Sequence, residues 1–293
     1  MSRGEMEKYL IVLPIGLLAQ FIDGTLGMGY GASSSSFLLA AGFVPAAVSA
    51  SVHAAELFAS LASGVSHLKL GNVDKSITGP LALSGVFGGV LGAYFLSRLP
   101  GDLIKPYVAV LLLIVGARIL FTHLRAERKP IGNPRLSKKF LVPLGLIGGA
   151  IDAVGGGGWG PICTPAILAT GKGEPRYAVG SVNAAEFVTT LAITATFAAT
   201  LGLEKFLWGI TVPLLIGGVI AAPLSAVACR RIDPGQLGIV IGAMLILLNL
   251  RVVAPVVSGV LGVPPLVRLD SALTFGAVAL VLIALTLRRQ TSP

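Results

Sequence analysis

Phe206–Cys229 runs for 24 residues without a charged side chain, and Ile77–Leu96 does so for 20. A helix rises 1.5 Å per residue, so about 20 apolar residues cross the roughly 30 Å hydrocarbon core of a bilayer. Further apolar runs lie at Leu10–Phe21, Tyr107–Phe121, Leu237–Val257 and Leu273–Leu287. They leave no stretch long enough for a soluble domain. Only 12% of the 293 residues are charged, against about 25% in a soluble domain. The expected fold is an all-α polytopic membrane protein forming one domain over residues 1–293.

The net charge of +9 does not point to nucleic acid, because the basic residues sit between apolar spans instead of striping one face. They are densest in His123–Lys139, with Arg125, Arg128, Lys129, Arg135, Lys138 and Lys139. A short basic loop beside spans is the positive-inside signal, which predicts a cytoplasmic loop in a plasma (inner) membrane. Cys163 and Cys229 both lie in apolar segments, so no disulfide framework is expected. Arg3 and Lys8 before an apolar run resemble a signal peptide. Phe21-Ile22-Asp23-Gly24 offers no small-residue cleavage site, however, and the segment recurs later in the chain, so it reads as mature structure.

That recurrence organises the chain. Gly16–Gly31 (GLLAQFIDGTLGMGYG) aligns with Gly145–Gly160 (GLIGGAIDAVGGGGWG) at an offset of 129, with seven identities: Gly16, Leu17, Ile22, Asp23, Gly27, Gly29 and Gly31. Ser51–Glu56 (SVHAAE) matches Ser181–Glu186 (SVNAAE) at an offset of 130. Two copies follow, about 9–122 and about 140–257, joined by the basic linker at about 123–139. An extra C-terminal span at about 270–289 has no partner. Each copy reads as a glycine-broken segment followed by three spans. The broken segments run Tyr9–Gly42 and Phe140–Gly171. The spans are Pro45–Leu68, Ser76–Ser97 and Leu103–His123, then Pro175–Leu201, Phe206–Cys229 and Gly235–Val257. If each broken segment is re-entrant the copies are inverted; if it crosses once they are parallel. Counts of Lys and Arg by side do not separate the two. Inversion is preferred, because two inverted broken helices facing each other make a familiar transporter site.

Irregular backbone at membrane depth survives only inside protein or beside a cavity. A helix that restarts after a break offers free N–H groups and a positive dipole end, which bind anions. The backbone of Gly27, Gly29, Gly31, Gly156, Gly157, Gly158 and Gly160 is therefore a candidate anion contact. So are the hydroxyls of Ser33, Ser34 and Thr164, and the side chains of His53 and Asn183. The alternative is that the glycines only allow close helix packing. Asp23 and Asp152 stand beside the breaks as caps or proton carriers. Glu56 and Glu186 lie three residues after His53 and Asn183, on the same helix face. They are the candidate titrating acids, with interhelical polar contacts as the alternative role. His67 and His123 sit at apparent span ends and read as interfacial. No metal spacing and no phosphate-binding glycine loop is present, so no metal, cofactor or nucleotide motor is expected. The expected partners are a small anion and the bilayer, with a second copy of the chain left open.

These residues resemble the TauE/SafE family, the sulfite exporter and anion permease group. The resemblance rests on Ile22–Gly31, its copy Ile151–Gly160, the two SV[HN]AAE segments and the spacing of four apolar segments per copy. It implies secondary transport of sulfite, sulfonates or similar small organosulfur anions, usually outward. A passive anion channel, or an importer of another small anion, is the first alternative. An intramembrane enzyme using His53 with a nearby serine, or Cys163, is the remote one.

Overall fold

A computed structural model of the chain describes residues 3–124, 136–168, 170, 174–229 and 234–261. Most of the basic linker, Arg230, Arg231 and the C-terminal apolar segment Leu273–Leu287 lie outside the described residues. Among those described are ten α-helices and one 3-10 turn. The helices are α1 (Arg3–Leu26), α2 (Tyr30–Ala40), α3 (Pro45–Lys69), α4 (Lys75–Arg98), α5 (Gly101–Leu124), α6 (Lys138–Gly155), α7 (Trp159–Leu168), α8 (Pro175–Leu201), α9 (Trp208–Ala228) and α10 (Pro234–Leu261). Among the described residues, six segments are long and apolar enough to cross a membrane: Pro45–Lys69, Lys75–Arg98, Leu103–Phe121, Pro175–Leu201, Trp208–Ala228 and Gly242–Val260. They overlap the six expected spans, with ends shifted by up to seven residues at Gly242. Val12–Leu26 is a shorter apolar helix.

Local chemistry sets the boundaries. Pro45 and Pro175 open α3 and α8, where a missing N–H and a fixed φ do no harm. Asp74 caps α4 by accepting from the Ser76 N–H at 2.8 Å, and Ser137 caps α6 by accepting from the Lys139 N–H at 3.2 Å. Both breaks use one device. Gly27 (φ 68) and Gly156 (φ 67) take the left-handed conformation. Their N–H groups donate to the Asp23 and Asp152 carbonyls at 2.6 and 2.7 Å, closing each helix as a glycine C-cap does.

After each break the chain turns back. Gly16 packs on Leu214 and Gly24 on Ser225, so α1 runs parallel to α9. Yet Tyr30, beyond the break, donates its hydroxyl to the Leu214 carbonyl at 3.0 Å. The second break behaves alike. Gly145 packs on Leu81 and Gly92 on Ala153, making α4 and α6 parallel, while Cys163 and Trp159 of α7 return to the level of Gly148. The broken segments are therefore hairpins, α1–α2 and α6–α7. Two helix pairs, α3 with α8 and α5 with α10, pack antiparallel. Gly64 of α3 lies against Ala184 of α8, whereas His53 of α3 faces Phe197 of α8, with ring centroids 6.3 Å apart. Likewise Gly116 of α5 lies against Leu245 of α10, and Gly242 against Leu120.

Packing is inverted relative to a water-soluble bundle. On α4 the large residues Leu83, Phe87, Leu91 and Phe95 face outward, while Gly85, Gly88, Gly89 and Gly92 are buried. Lipid is as apolar as leucine, so close backbone approach, not apolar burial, holds such helices together. A Cβ at Gly149 of α6 would fall on the backbone of Gly85 in α4, whereas one at Gly79 would meet nothing within 4 Å. Gly149→Ala should lower stability by about 1–3 kcal/mol, the usual cost of overpacking. Gly79→Ala should be neutral or stabilising by up to about 1 kcal/mol. Thermal unfolding of the detergent-solubilised protein compares the two, and equal melting temperatures would contradict the packing described.

Candidate functional site

The two hairpin tips meet in the interior and overlap. Gly31 and Ala32 at the start of α2 lie against Gly156 and Gly157, and Gly160 at the start of α7 lies against Gly27 and Met28. Two crossed hydrogen bonds join them. Ser35 donates its hydroxyl to the Gly156 carbonyl at 2.6 Å, and Thr164 donates its hydroxyl to the Gly27 carbonyl at 2.7 Å. At an offset of 129, Ser35 corresponds to Thr164 and Gly27 to Gly156, so each copy makes the same bond to the other. The carbonyls that the breaks leave without a helical partner are thereby satisfied.

The acids stand at the restarts. Asp152 is buried; its Oδ1 accepts from the N–H groups of Gly158 and Trp159 at 2.7 and 3.0 Å, capping α7. Asp23, also buried, faces the N–H of Tyr30, the counterpart of Trp159. Glu56 of α3 faces the N–H of Gly31, and its Oε2 has no hydrogen-bond partner although the residue is only 2% exposed. Glu186 of α8 is buried at 3% exposure, within electrostatic range of Asp23, Glu56 and Asp152. The positive helix ends expected to hold an anion are thus faced by the protein's own carboxylates.

His53 is fully buried, with Nδ1 2.7 Å from the Ser49 carbonyl and Nε2 3.2 Å from Asp152 Oδ2. Donor atoms of His53, Glu56 and Asp152 lie within 4.8 Å of one another. Two of these atoms, His53 Nε2 and Asp152 Oδ2, already share a hydrogen bond. Asn183 donates to the Val179 carbonyl at 3.1 Å and accepts from the Ser63 hydroxyl at 2.7 Å. Ser33 is hydrogen-bonded to the Gly29 carbonyl within its own helix. Ser34 is buried with its hydroxyl unpartnered. Ser49 Oγ lies 3.2 Å from His53 Nδ1, which suggests a nucleophile beside its base. But Nδ1 carries its proton toward the Ser49 carbonyl, and the hydroxyl donates to the Ala153 carbonyl at 2.5 Å. His53 is therefore no base for Ser49.

The structure brings Asp23, His53, Glu56, Asp152, Asn183, Glu186 and both glycine breaks into one buried region. Two grooves on the outer surface, one between α4 and α6 and one between α5 and α10, include none of these acids. Several contributors escaped sequence reasoning. Ser35 stood inside a serine run with nothing to single it out except its alignment with Thr164. Ser49 and Ser63 are ordinary helix serines. His67, read as interfacial, is fully buried, with Nε2 3.1 Å from the Gly24 carbonyl beneath the first break. Asn249 of α10 donates to Ser36 Oγ at 2.8 Å, and neither copy's motif included it.

A family model described as Sulfite exporter TauE/SafE matches residues 12–252. The chain is 45% identical over 248 residues to "Probable membrane transporter protein YtnM" of Bacillus subtilis (strain 168), covering 84% of this chain and 83% of that protein. No solved structure matches.

The crossed bonds make a measurable prediction. Ser35→Ala and Thr164→Val each leave a buried carbonyl unsatisfied and should each cost about 1–3 kcal/mol. Both bonds close the same contact, so a double-mutant cycle on thermal or denaturant unfolding should show at least about 0.5 kcal/mol of coupling. Strict additivity would mean that the two bonds act independently.

Proposed function

The chain belongs to the sulfite exporter TauE/SafE family and is a multi-pass membrane protein, and from that premise we propose that it is a secondary transporter exporting a small organosulfur anion, such as sulfite or a sulfonate, by alternating access. The observation that carries this reading is the pair of clasped hairpin tips. They put two helix N-termini, four carboxylates and an unpartnered hydroxyl into one buried region. The antiparallel registers of α3 with α8 and of α5 with α10 support inverted copies, in which a small relative movement of the halves exposes the same site to either side. The basic linker then lies in the cytoplasm and the protein in the inner membrane.

In the open states the tips separate. The N–H groups of Gly27, Gly29, Gly31, Gly156, Gly157, Gly158 and Gly160 then become available to the anion. So do the hydroxyls of Ser33, Ser34 and Thr164 and the side chains of His53 and Asn183. Glu56 and Glu186, with Asp23 and Asp152, hold the breaks or carry protons. An anion entering beside four carboxylates is repelled unless protons neutralise part of that charge, which is the physical argument for coupling to protons.

Proteoliposomes containing the protein should take up or release radiolabelled sulfite or a short sulfonate saturably. They should support counterflow and respond to an imposed pH gradient. Glu56→Gln with Glu186→Gln should lower the pH-dependent part of the flux at least about tenfold, the scale of removing a group that carries a proton in the rate-limiting step. Flux that never saturates would indicate a channel. Gradient-dependent flux that survives both substitutions would remove the glutamates from proton handling.

A further inference from the structure

Every polar atom of His53 has a defined partner, and those partners fix how many protons the site contains. Nδ1 lies 2.7 Å from the Ser49 carbonyl. A carbonyl only accepts, so Nδ1 carries a hydrogen. Nε2 lies 3.2 Å from Asp152 Oδ2. Two bare acceptors would repel at that distance, so one more proton lies between them. It sits on Nε2 as an imidazolium facing a carboxylate, or on Oδ2 as a carboxylic acid facing a neutral imidazole. In either case the pair is electrically neutral overall. Losing that proton leaves a neutral imidazole with a lone pair on Nε2 pointing at a carboxylate, and a net charge of −1 on the pair.

The same Asp152 holds the second hairpin together. Its Oδ1 caps the Gly158 and Trp159 N–H groups, and its carbonyl accepts the Gly156 N–H that closes α6. The neighbouring Ala153 carbonyl is held by the Ser49 hydroxyl at 2.5 Å. His53, Ser49 and Asp152 therefore bind α3 to the tip of the α6–α7 hairpin. We propose that the His53–Asp152 pair is a proton-binding latch: with its proton it fixes the α6–α7 tip against α3, and on losing the proton it releases the tip. The copies differ at this point. The equivalent of His53 is Asn183, which donates to the carbonyl four residues earlier as His53 does but cannot titrate. The latch acts on one hairpin only.

The groups around the pair set its response. Asp23 of α1, Glu56 of α3, Cys163 of α7 and Glu186 of α8 lie within electrostatic range of Asp152, while Tyr30 of α2 faces Glu56 and Asp23, and Arg118 of α5 faces Cys163. Glu56 is the alternative proton carrier, since its Oε2 is unpartnered. As a role within a transporter the latch rests on the reading above. Its test requires no substrate, so it stands or falls separately from the nature of the anion.

The protein contains two tryptophans. Trp159 is fully buried at the tip, with its indole N–H donating to the Val182 carbonyl at 3.1 Å, and Trp208 is about half exposed, at 46%. Trp208→Phe leaves Trp159 as a reporter of the tip. In nanodiscs of uncharged lipid, its emission and its accessibility to acrylamide are followed from about pH 5 to 9, the range in which histidine-linked changes fall. The expected result is one reversible transition to a red-shifted, at least about twofold more quenchable state on the alkaline side. Asp152→Asn keeps the cap oxygen and presents a permanent N–H to Nε2, so it should abolish the transition in the buried, blue-shifted state. His53→Asn, which imitates copy two, should also abolish it, whereas Glu56→Gln should retain it. A flat wild-type profile would overturn the latch. So would a transition lost in Glu56→Gln and kept in both other variants, or one driven by added zinc or manganese and not by pH.

Discussion

Two backbone carbonyls, Gly27 and Gly156, govern the centre of the molecule. A break inside a membrane segment strips carbonyls of their helical partners, and hydrocarbon offers none in return. Here each carbonyl is satisfied by a hydroxyl from the opposite hairpin, Thr164 for Gly27 and Ser35 for Gly156. Neither hairpin can exist in this form without the other. The requirement brings the two copies together at their breaks, and the glycines at the tips follow from it, since Gly31, Gly157 and Gly160 sit where a side chain would strike the other tip's backbone. Acids, histidine and helix ends are gathered as a consequence of that contact.

Much of the architecture was legible in the sequence for a physical reason. Apolar runs in a bilayer have a fixed length requirement, and duplication at an offset of 129 exposes paired elements that a single reading would pass over. The six spans and both breaks therefore emerged within seven residues of their ends. Whether the broken segments fold back was not legible. Lys and Arg counts are insensitive to it, and only the return of Tyr30 to Leu214 and of Cys163 to Gly148 distinguishes a hairpin from a crossing. At the site, the socket and the charges were both visible, yet their mutual satisfaction was not. Asp152 lies six residues before the N–H of Gly158 that it caps, so the local acid reaches the helix end before any solute does. His67 stands at the end of α3 as expected, but its burial against the first break was not legible, because hydropathy places a residue along a span and says nothing of the direction it faces.

The halves share a scaffold but not a chemistry. Copy two replaces the histidine with asparagine and the Thr-Leu-Gly-Met-Gly break with Val-Gly-Gly-Gly-Gly. The carbonyl just before each break is held differently as well: Ala153 by the Ser49 hydroxyl, Gly24 by the His67 ring. Near-symmetry supplies two similar tip environments, while these differences allow one tip to respond to a signal that the other ignores.

The crossed bonds also bear on how the chain is made. Gly27 and Thr164 are 137 residues apart in sequence, and Ser35 and Gly156 are 121 apart. At ribosomal speeds of about 5–20 residues per second, the first hairpin waits on the order of ten seconds for its partner to emerge. Throughout that interval its tip carbonyl and buried acid have no mate. At 11 residues α2 is too short to settle across the bilayer as an independent span. Truncation after the first copy should leave a product that cannot close its own core.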